Sequence, residues 1–387
     1  MIRGRDFVVF SDDWGRHPSS SQHLFRRIAP HNRVLWVETI GLRRPRITRY
    51  DIERTVEKVR GWVRPGGPTN NAPSWAPEPE GLTRFSPPMH PFYGHPVGAR
   101  INDEVLSRLI VRKAKAMGMH RPIVITTVPT VAGLVGRLEE SSFIYYCVDD
   151  FETWPGYEAT AIKALERHLI ERCDALVGTA AKLIEDRARP GMPTLSLPHG
   201  VDVDMFAAGG EAPAPMAAVP HPRVMSLGLY DSRVDAAMLT AVAQAHPEWH
   251  FVFVGPRTAP ENTLDALPNV HVMPGVPYNE VPRWLASADA LIIPYVRNEQ
   301  TDTINPLKLR EFMATGRPVA TTAMPEIVNA VGDLVPTGDG AEAFAKAIAE
   351  ALQLAPESAA LRRTRVEPDG WDARAEDLCD FLEEILD

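Results

Sequence analysis

Residues 290–319 read ALIIPYVRNEQTDTINPLKLREFMATGRPV, and this stretch decides the predicted fold. Its apolar start, Ala290–Pro294, has the length and composition of a buried strand. A polar loop follows, Pro306–Thr315 has the periodicity of a helix, and Pro318–Thr321 returns to strand-forming residues. A strand, a crossover helix and a second strand in this order predict a parallel α/β sheet.

The ends of this helix carry residues with suitable backbone chemistry. Asn305 is a good N-cap, Pro306 fits the first helical position, and Gly316 can close the helix. The predicted core face consists of Leu309, Phe312 and Met313. Another face carries Lys308 and Glu311, three positions apart.

The same alternation of short apolar runs and helical segments recurs along the chain, which at 387 residues is long enough for two domains. The predicted strands of the first array are Phe7–Phe10, Arg33–Val37, Ile123–Thr127, Phe143–Val148 and Ala175–Gly178. Those of the second are Val224–Leu227, His250–Val254, Val270–Met273, Ala290–Pro294 and Pro318–Thr321. We therefore predict two successive βαβ arrays.

The boundary between the two arrays is predicted from composition. Residues 207–221 are rich in Gly, Ala and Pro without a period, which is typical of a linker. The predicted domains are therefore 1–206 and 222–368. Segment 369–387 is predicted to be a helix that packs back on the first domain through Leu378, Phe381, Leu382 and Ile385.

The composition, 44% hydrophobic and 24% charged, is that of a globular protein rather than a disordered, collagen-like or coiled-coil chain. Three cysteines without zinc-ligand spacing predict neither a metal site nor a disulfide framework, so we expect a cytoplasmic protein. The apolar start is short for a signal peptide, and no apolar run approaches the roughly 18 residues that span a bilayer. The first strand is not followed by GxGxxG, and GxxxxGK(S/T), HExxH and GxSxG are absent, which disfavours dinucleotide-binding, P-loop, zinc-protease and hydrolase sites.

The net charge of −9 is unevenly distributed. Residues 1–121 carry 21 Lys and Arg against 11 Asp and Glu, a balance of +10, which leaves −19 for the remainder. Together with Gly61–Gly98, a tract rich in proline and aromatic residues, this predicts peripheral docking on the anionic inner face of a membrane. The basic residues in question are Arg43, Arg44, Arg46, Arg49, Arg112, Lys113 and Lys115. The alternative is two solvated surfaces that differ in charge; nucleic acid is not an expected partner.

Lys308 and Glu311 suggest an anion site near the start of their helix. The free N–H groups of a helix start, together with a lysine, can hold a diphosphate, and Glu311 could accept ribose hydroxyls. The alternative is a surface ion pair between the two side chains.

Two further polar segments follow predicted strands. The run Tyr145–Val148 ends in Asp149 and Asp150, and ligands of open α/β sheets bind at such strand ends. One of the two acids could be a general base whose pKa is raised by its neighbour and by partial burial, or the pair could simply cap a turn. The loop after the first strand begins Ser11-Asp12-Asp13, and helix capping explains much of its serine content.

Taken in order, these segments resemble the GT-B glycosyltransferases. The matching segments are HGVD at 199–202, VMSLG at 224–228, VHVMPGV at 270–276, ADALIIP at 288–294, and Pro306 with Lys308 and Glu311. The second half looks like the nucleotide-sugar domain of the glycosyltransferase 4 group. The Ser11/Asp13 loop and Asp150 are similar to those of xanthan-type glucuronosyltransferases and teichuronic-acid-type transferases. The implied fold class is α/β: two Rossmann-like doubly wound domains facing across a cleft.

The resemblance implies a metal-independent enzyme without a cofactor that works in surface polysaccharide biosynthesis. Its donor would be a nucleoside diphosphate sugar, such as a UDP-sugar, and its acceptor a hydroxyl of a glycan or of a polyprenyl-diphosphate-linked sugar. Asp150, with Asp149 beside it, would be the base of an inverting reaction. The donor would contact Ser226, Gly228, Tyr230, Arg233, Tyr278, Tyr295, Asn305, Lys308 and Glu311, and the acceptor would contact Asp13, His17 and His23.

One departure from the family pattern leaves the reaction open. Retaining members carry two glutamates eight positions apart, whereas the position eight before Glu311 is Thr303. An inverting reaction is therefore our prediction, with a retaining transferase as the alternative. A nucleotide-sugar epimerase on the same fold, and a nucleotide-sugar-binding protein without activity, are the other hypotheses.

Overall fold

The computed structural model describes residues 1–38, 75–89, 96–154 and 156–386. The chain forms two compact units, of which the first comprises Met1–Pro198 with Arg374–Asp387 and the second His199–Ala373. Each unit is built on a parallel sheet whose strands alternate with helices. The predicted α/β fold class is confirmed.

The first unit has a seven-stranded sheet in the order β3-β2-β1-β4-β5-β6-β7. The strands are β1 (Asp6–Ser11), β2 (Arg33–Glu38), β3 (Leu82–Phe85), β4 (Ile123–Thr126), β5 (Ser142–Cys147), β6 (Ala175–Gly178) and β7 (Thr194–Ser196). The α-helices are α1 (Ser20–Ile28), α2 (Pro96–Ala116), α3 (Ala159–Arg172) and α4 (Ala181–Arg187). Strands β1, β4 and β5 are buried along their whole length, which is why they read as continuous apolar runs.

The second unit has a five-stranded sheet in the order β10-β9-β8-β11-β12. Its strands are β8 (Arg223–Leu227), β9 (His250–Val254), β10 (Val270–Met273), β11 (Ala290–Ile293) and β12 (Val319–Thr321). Its helices are α5 (Val203–Ala208), α6 (Ala236–Ala245), α7 (Val281–Ala286), α8 (Glu299–Asp302), α9 (Leu307–Ala314), α10 (Pro325–Val331), α11 (Ala341–Leu352) and α12 (Ser358–Val366). The predicted core face of α9 is confirmed, because Leu309, Phe312 and Met313 are buried.

Both sheets have a point at which the strand order reverses. In the first unit the chain runs outward through β2 and β3 and returns with β4 beside β1. In the second it runs outward through β9 and β10 and returns with β11 beside β8. Ligands of open α/β sheets bind outside the carboxyl ends of the strands at such switch points. The ends of β1 and β4, and those of β8 and β11, are therefore where a site is expected.

The predicted linker is part of the second unit, which begins at His199 rather than at 222. Residues Ala214–Ala218 form a short 3-10 helix. Met216 and Val219 are 0% and 3% exposed and belong to the core of this unit. Composition was misleading here because small residues and prolines can also build a short helix with one buried face. The terminal helix α13 (Trp371–Leu386) lies mostly in the first unit, where the sequence analysis puts it.

The tract Gly61–Gly98, rich in proline and aromatic residues, contains β3 and the start of α2. Gly81 precedes β3 with φ +82°, and a Cβ there would overlap the carbonyl oxygens of Ala29 and Asn32. A glycine is therefore needed for the chain to enter the sheet beside β2. Residues 61–74 and 90–95 of the tract, and the arginines at 43, 44, 46 and 49, lie outside the described residues. Within the described parts of the chain, no helix is long and apolar enough to cross a bilayer.

Candidate functional site

Lys308 lies at the switch point of the second sheet. It belongs to the first turn of α9, and its Nζ donates a hydrogen bond of 3.2 Å to the hydroxyl of Tyr295, two residues beyond β11. The same Nζ lies 5.7 Å from the centroid of the Tyr295 ring. The tyrosine thus holds an ammonium group near the carboxyl ends of the two strands between which the order reverses.

Gly228, the residue directly after β8, makes room for that lysine. Its φ is +121°, and a Cβ at this position would stand 2.5 Å from Lys308 Nζ and closer still to Cε. The lysine side chain therefore lies directly against the glycine backbone. Only glycine allows both this backbone conformation and this approach.

Arg233 brings a second cation to Tyr295. Its guanidinium carbon is 5.4 Å from the centroid of the Tyr295 ring, and Asp231 balances its charge at 2.7 Å. Tyr295 is only 4% exposed. Tyr295, predicted to contact the donor, therefore has little free surface for a ligand, because its ring is packed between cationic side chains.

Glu311 is buried rather than part of a surface ion pair. Its Oε1 accepts a hydrogen bond of 3.1 Å from the hydroxyl of Tyr278, and the residue is 6% exposed. Burial raises the pKa of Glu311 to about 7, although the Tyr278 hydrogen bond and the charge of Lys308 lower it. The carboxyl group therefore changes its charge near neutral pH.

Three of the predicted donor residues line one pocket. Ser226, Gly228 and Tyr230 border a small crevice at the carboxyl ends of β8 and β9. Tyr230 is 6% exposed, and the guanidinium carbon of Arg257 lies 4.4 Å from the centroid of its ring. Tyr230 thus supports a cation at the pocket wall.

Asn305 does not cap α9 as predicted, because Pro306 occupies the N-cap position. Its Oδ1 instead accepts a 2.5 Å hydrogen bond from Arg310, and its Nδ2 donates to Glu326 at 3.3 Å. Arg310 is 6% exposed and needs such acceptors; Asp369 supplies another at 2.8 Å. The Asn305 side chain therefore binds the buried guanidinium of Arg310 instead of the backbone at the helix start.

In the first unit, Asp150 follows β5 and is held by a cation. Arg187 Nη2 donates to Asp150 Oδ1 at 2.8 Å, while its Nε donates to Glu166 at 2.9 Å. Asp149 accepts a 2.8 Å hydrogen bond from the backbone N–H of Asp150, which is the turn role left open above. The sequence offered no signal for Arg187, because it lies on a different helix, far along the chain.

The sequence analysis missed Asp12 in the loop after β1. The side chains of Ser11, Ser19 and Gln22 donate hydrogen bonds to it at 2.8, 3.0 and 2.5 Å. Burial raises the pKa of Asp12, against these hydrogen bonds, which lower it. Ser11 also receives a 3.2 Å hydrogen bond from Thr127 after β4, so this network spans the switch point of the first sheet.

The three predicted acceptor residues differ in their surroundings. His17 is exposed, and Asp13 lies 3.4 Å from Arg16. His23 is 0% exposed on the inner face of α1, with its ring centroid 4.5 Å from that of Trp75. Burial is the main cause that lowers the pKa of His23 to about 2. The prediction for His23 is wrong, because the amphipathic face of α1 directs this ring into the core.

No group of three or more His, Cys, Asp or Glu side chains that could hold a metal ion occurs in ranges 1–38, 75–89, 96–154 and 156–386.

Comparison with known proteins gives a family match within the second unit. Residues 231–354 match the family model described as Glycosyl transferases group 1. The putative teichuronic acid biosynthesis glycosyltransferase TuaH of Bacillus subtilis is 27% identical over 179 residues, 44% of this chain and 45% of that protein. The chain therefore aligns with less than half of the length of this curated relative.

Solved structures resemble the chain over nearly its whole length. Sucrose-phosphate synthase from Thermosynechococcus elongatus has a TM-score of 0.71 at 14% identity, covering 98% of this chain and 99% of that one. The Anabaena protein HepE, in complex with UDP and glucose, has a TM-score of 0.65 at 11% identity, again covering 98% and 99%. The chain has the GT-B fold. Its second unit contains the region that matches the glycosyl transferases group 1 model.

Proposed function

We propose that the protein is a glycosyltransferase that moves a sugar from a nucleoside diphosphate sugar to a hydroxyl group during polysaccharide assembly. The proposed donor is a UDP-sugar. The observation that carries this proposal is the ammonium of Lys308 beside Gly228 and Tyr295 at the switch point of the second sheet. A diphosphate suits a lysine at a helix start. The group 1 domain supports the activity, the UDP bound by HepE supports the donor class, and the similarity to TuaH supports the polysaccharide role.

In the proposed inverting reaction, the acceptor oxygen forms a bond to the anomeric carbon and its proton passes to Asp150. The bond between the anomeric carbon and the diphosphate breaks, and its electron pair leaves on the diphosphate, whose charge Lys308 stabilises. The surroundings of Asp150 support its role as the base, because Oδ2 accepts no hydrogen bond from the described residues while Oδ1 is held by Arg187. Thr303, which donates to the Gln300 carbonyl at 2.8 Å, offers no carboxylate for the retaining alternative.

A binding experiment tests the donor half of this proposal. We expect UDP, within a calorimetric panel of UDP, GDP and TDP, to bind the wild-type protein and Lys308→Met to bind it about 10–100-fold more weakly, because a charge-assisted contact is lost. Lys346→Met is the control, since this lysine side chain is 78% exposed on α11 of the same unit. Equal affinity in wild-type protein and Lys308→Met would remove the lysine from the donor site.

A transfer assay tests the reaction. Asp150→Asn is expected to lose transfer to a glycan or polyprenyl-diphosphate-linked acceptor while it still binds UDP, and the product should have an inverted anomeric centre by NMR. Asp12→Asn serves as a comparison, because Asp12 is another acid that directly follows a strand of this unit. Turnover of the donor without acceptor would favour the epimerase, and UDP binding without any turnover would favour the inactive binding protein.

Association with an anionic membrane surface is the remaining part of the proposal. Arg112 and Lys115 are exposed on α2, the helix that also carries Ile101 and Val105, which are 55% and 38% exposed. Flotation with vesicles containing anionic lipid should carry the protein upward at low salt and release it at high salt. Absence of any salt-sensitive association would contradict this.

A further inference from the structure

Arg187 connects three elements of the first unit through charged groups. It is the last residue of α4 and contacts Glu166 on α3 and Asp150 after β5, at 2.9 and 2.8 Å. Glu166 in turn accepts a 2.6 Å hydrogen bond from the hydroxyl of Tyr145 on β5. The side chains of Arg187 and Glu166 are 8% and 9% exposed, so these contacts are formed away from water.

The charges of this group are maintained by their surroundings. Burial raises the pKa of Tyr145 well above its usual value, so its hydroxyl keeps the proton that it donates to Glu166. Burial by itself lowers the pKa of the Arg187 guanidinium, but Cys147 and Glu166 raise it above its usual value. Arg187 therefore stays a cation shared between two carboxylates.

The two oxygens of Asp150 have different environments. Arg187 holds Oδ1, and Oδ2 receives no hydrogen bond from any residue in the described part of the chain. The Asp150 side chain is 14% exposed, so it is more accessible than its partner. A general base needs one carboxylate oxygen held in place and the other accessible, so that the proton is accepted from a defined direction.

We infer that Arg187 is a positioning residue for the transfer reaction: it fixes Asp150 Oδ1 and leaves Oδ2 to receive the acceptor's proton. This inference rests on the proposed role of Asp150. It assigns to Arg187 no contact with either substrate.

The charged and titratable groups around Asp150 set the direction of the expected pH effects. They are Arg187 on α4, Glu166 on α3, Tyr145 and Cys147 on β5, and Asp149 before it. Removing the cation takes a favourable charge away from the base, so the acidic limb of kcat/KM is expected to move to higher pH. Removing the charge of Glu166 should move the acidic limb to lower pH, because the Arg187 guanidinium then pairs with Asp150 alone.

The test compares Arg187→Met, Arg187→Lys and Glu166→Gln in the full-length protein. Arg187→Met should lower kcat about 10–100-fold, leave the donor KM unchanged, and raise the acidic limb. Arg187→Lys should recover part of both effects, and Glu166→Gln should lower the limb. Arg189→Met is the matched control, since the Arg189 side chain donates to the backbone carbonyls of Ile170 and Cys173 and to no carboxylate. The control should keep the wild-type profile.

Different outcomes refute different statements. If Asp150→Asn is inactive but Arg187→Met and Glu166→Gln keep the wild-type limb, Arg187 does not position the base. If Asp150→Asn keeps turnover, the proposed base itself is wrong. A carboxylate NMR titration needs no activity: the Asp150 resonance, assigned by its loss in Asp150→Asn, should titrate at higher pH in Arg187→Met and at lower pH in Glu166→Gln. Identical titration midpoints in all variants would overturn the inference.

Discussion

Replacing Gly228 with alanine should separate the role of the glycine in folding from its role at the donor site. The backbone there has φ +121°, which L-residues adopt only under strain of roughly 1–3 kcal/mol. The new methyl group would also overlap the end of the Lys308 side chain. Because that end is flexible, the lysine should swing away rather than force the sheet apart.

The effect on the donor follows from this displacement. A charge-assisted contact to a diphosphate contributes about 1.5–3 kcal/mol, so its loss weakens UDP binding by roughly 10–150-fold. Gly228→Ala should therefore bind UDP about as weakly as Lys308→Met. The double variant should be little worse than either single one, because both remove the same interaction.

Calorimetric titration with UDP and thermal unfolding of the same samples provide the measurement. Gly340→Ala is the control, because Gly340 has φ +79° with no atom within 4 Å of an added Cβ, so it brings backbone strain without a clash. The control should lose some stability and keep its affinity for UDP. Wild-type affinity in Gly228→Ala alongside weak binding in Lys308→Met, or fully additive losses in the double variant, would refute the contact argument.

Three further predictions concern stability. Burial raises the pKa of Glu311 from 4.5 to about 7, so the folded protein binds more protons than the unfolded chain between these pH values. The free energy of unfolding should therefore fall by up to about 3 kcal/mol as the pH rises through this window. In urea unfolding, Glu311→Gln should show a smaller fall. Met216→Ala should cost about 2–5 kcal/mol because this side chain is 0% exposed in the core, whereas a true linker would tolerate the change as Glu211→Ala should. Gly81→Ala should lower the free energy of unfolding by on the order of 3 kcal/mol or more, while Gly4→Ala, with φ +67° and open space around it, should cost about 1 kcal/mol; equal unfolding midpoints within either pair would contradict the packing described.

Much of the secondary structure could be predicted because strands buried on both faces leave a clear trace. Ala175–Gly178 and His250–Val254 were predicted with the bounds that the structure has. The short edge strands β3 and β7 were missed, since β3 is only partly buried and β7 is largely exposed. An edge strand owes its structure to pairing with its neighbour more than to its own apolar pattern.

The candidate site was predicted where local chemistry is enough. A lysine after a helix start and an acid after a strand are visible in sequence, and Lys308 and Asp150 both follow from such patterns. The environments of these groups were not visible. The sequence pattern predicts accessible groups at His23 and Glu311, yet both are buried, because burial depends on which neighbouring elements cover a face.

The sequence by itself determined the buried strands and the helices between them, because apolar periodicity and the chemistry of helix ends act over a few residues. It also determined that the lysine follows a helix start. Only the tertiary structure decided that β4 returns beside β1 and β11 beside β8. The return of β11 beside β8 brings Gly228 against Lys308, and the pairing of β5 with β6 brings Arg187 against Asp150, although these pairs are far apart in the chain. Strand order is set by the packing of whole elements, so no local pattern records it.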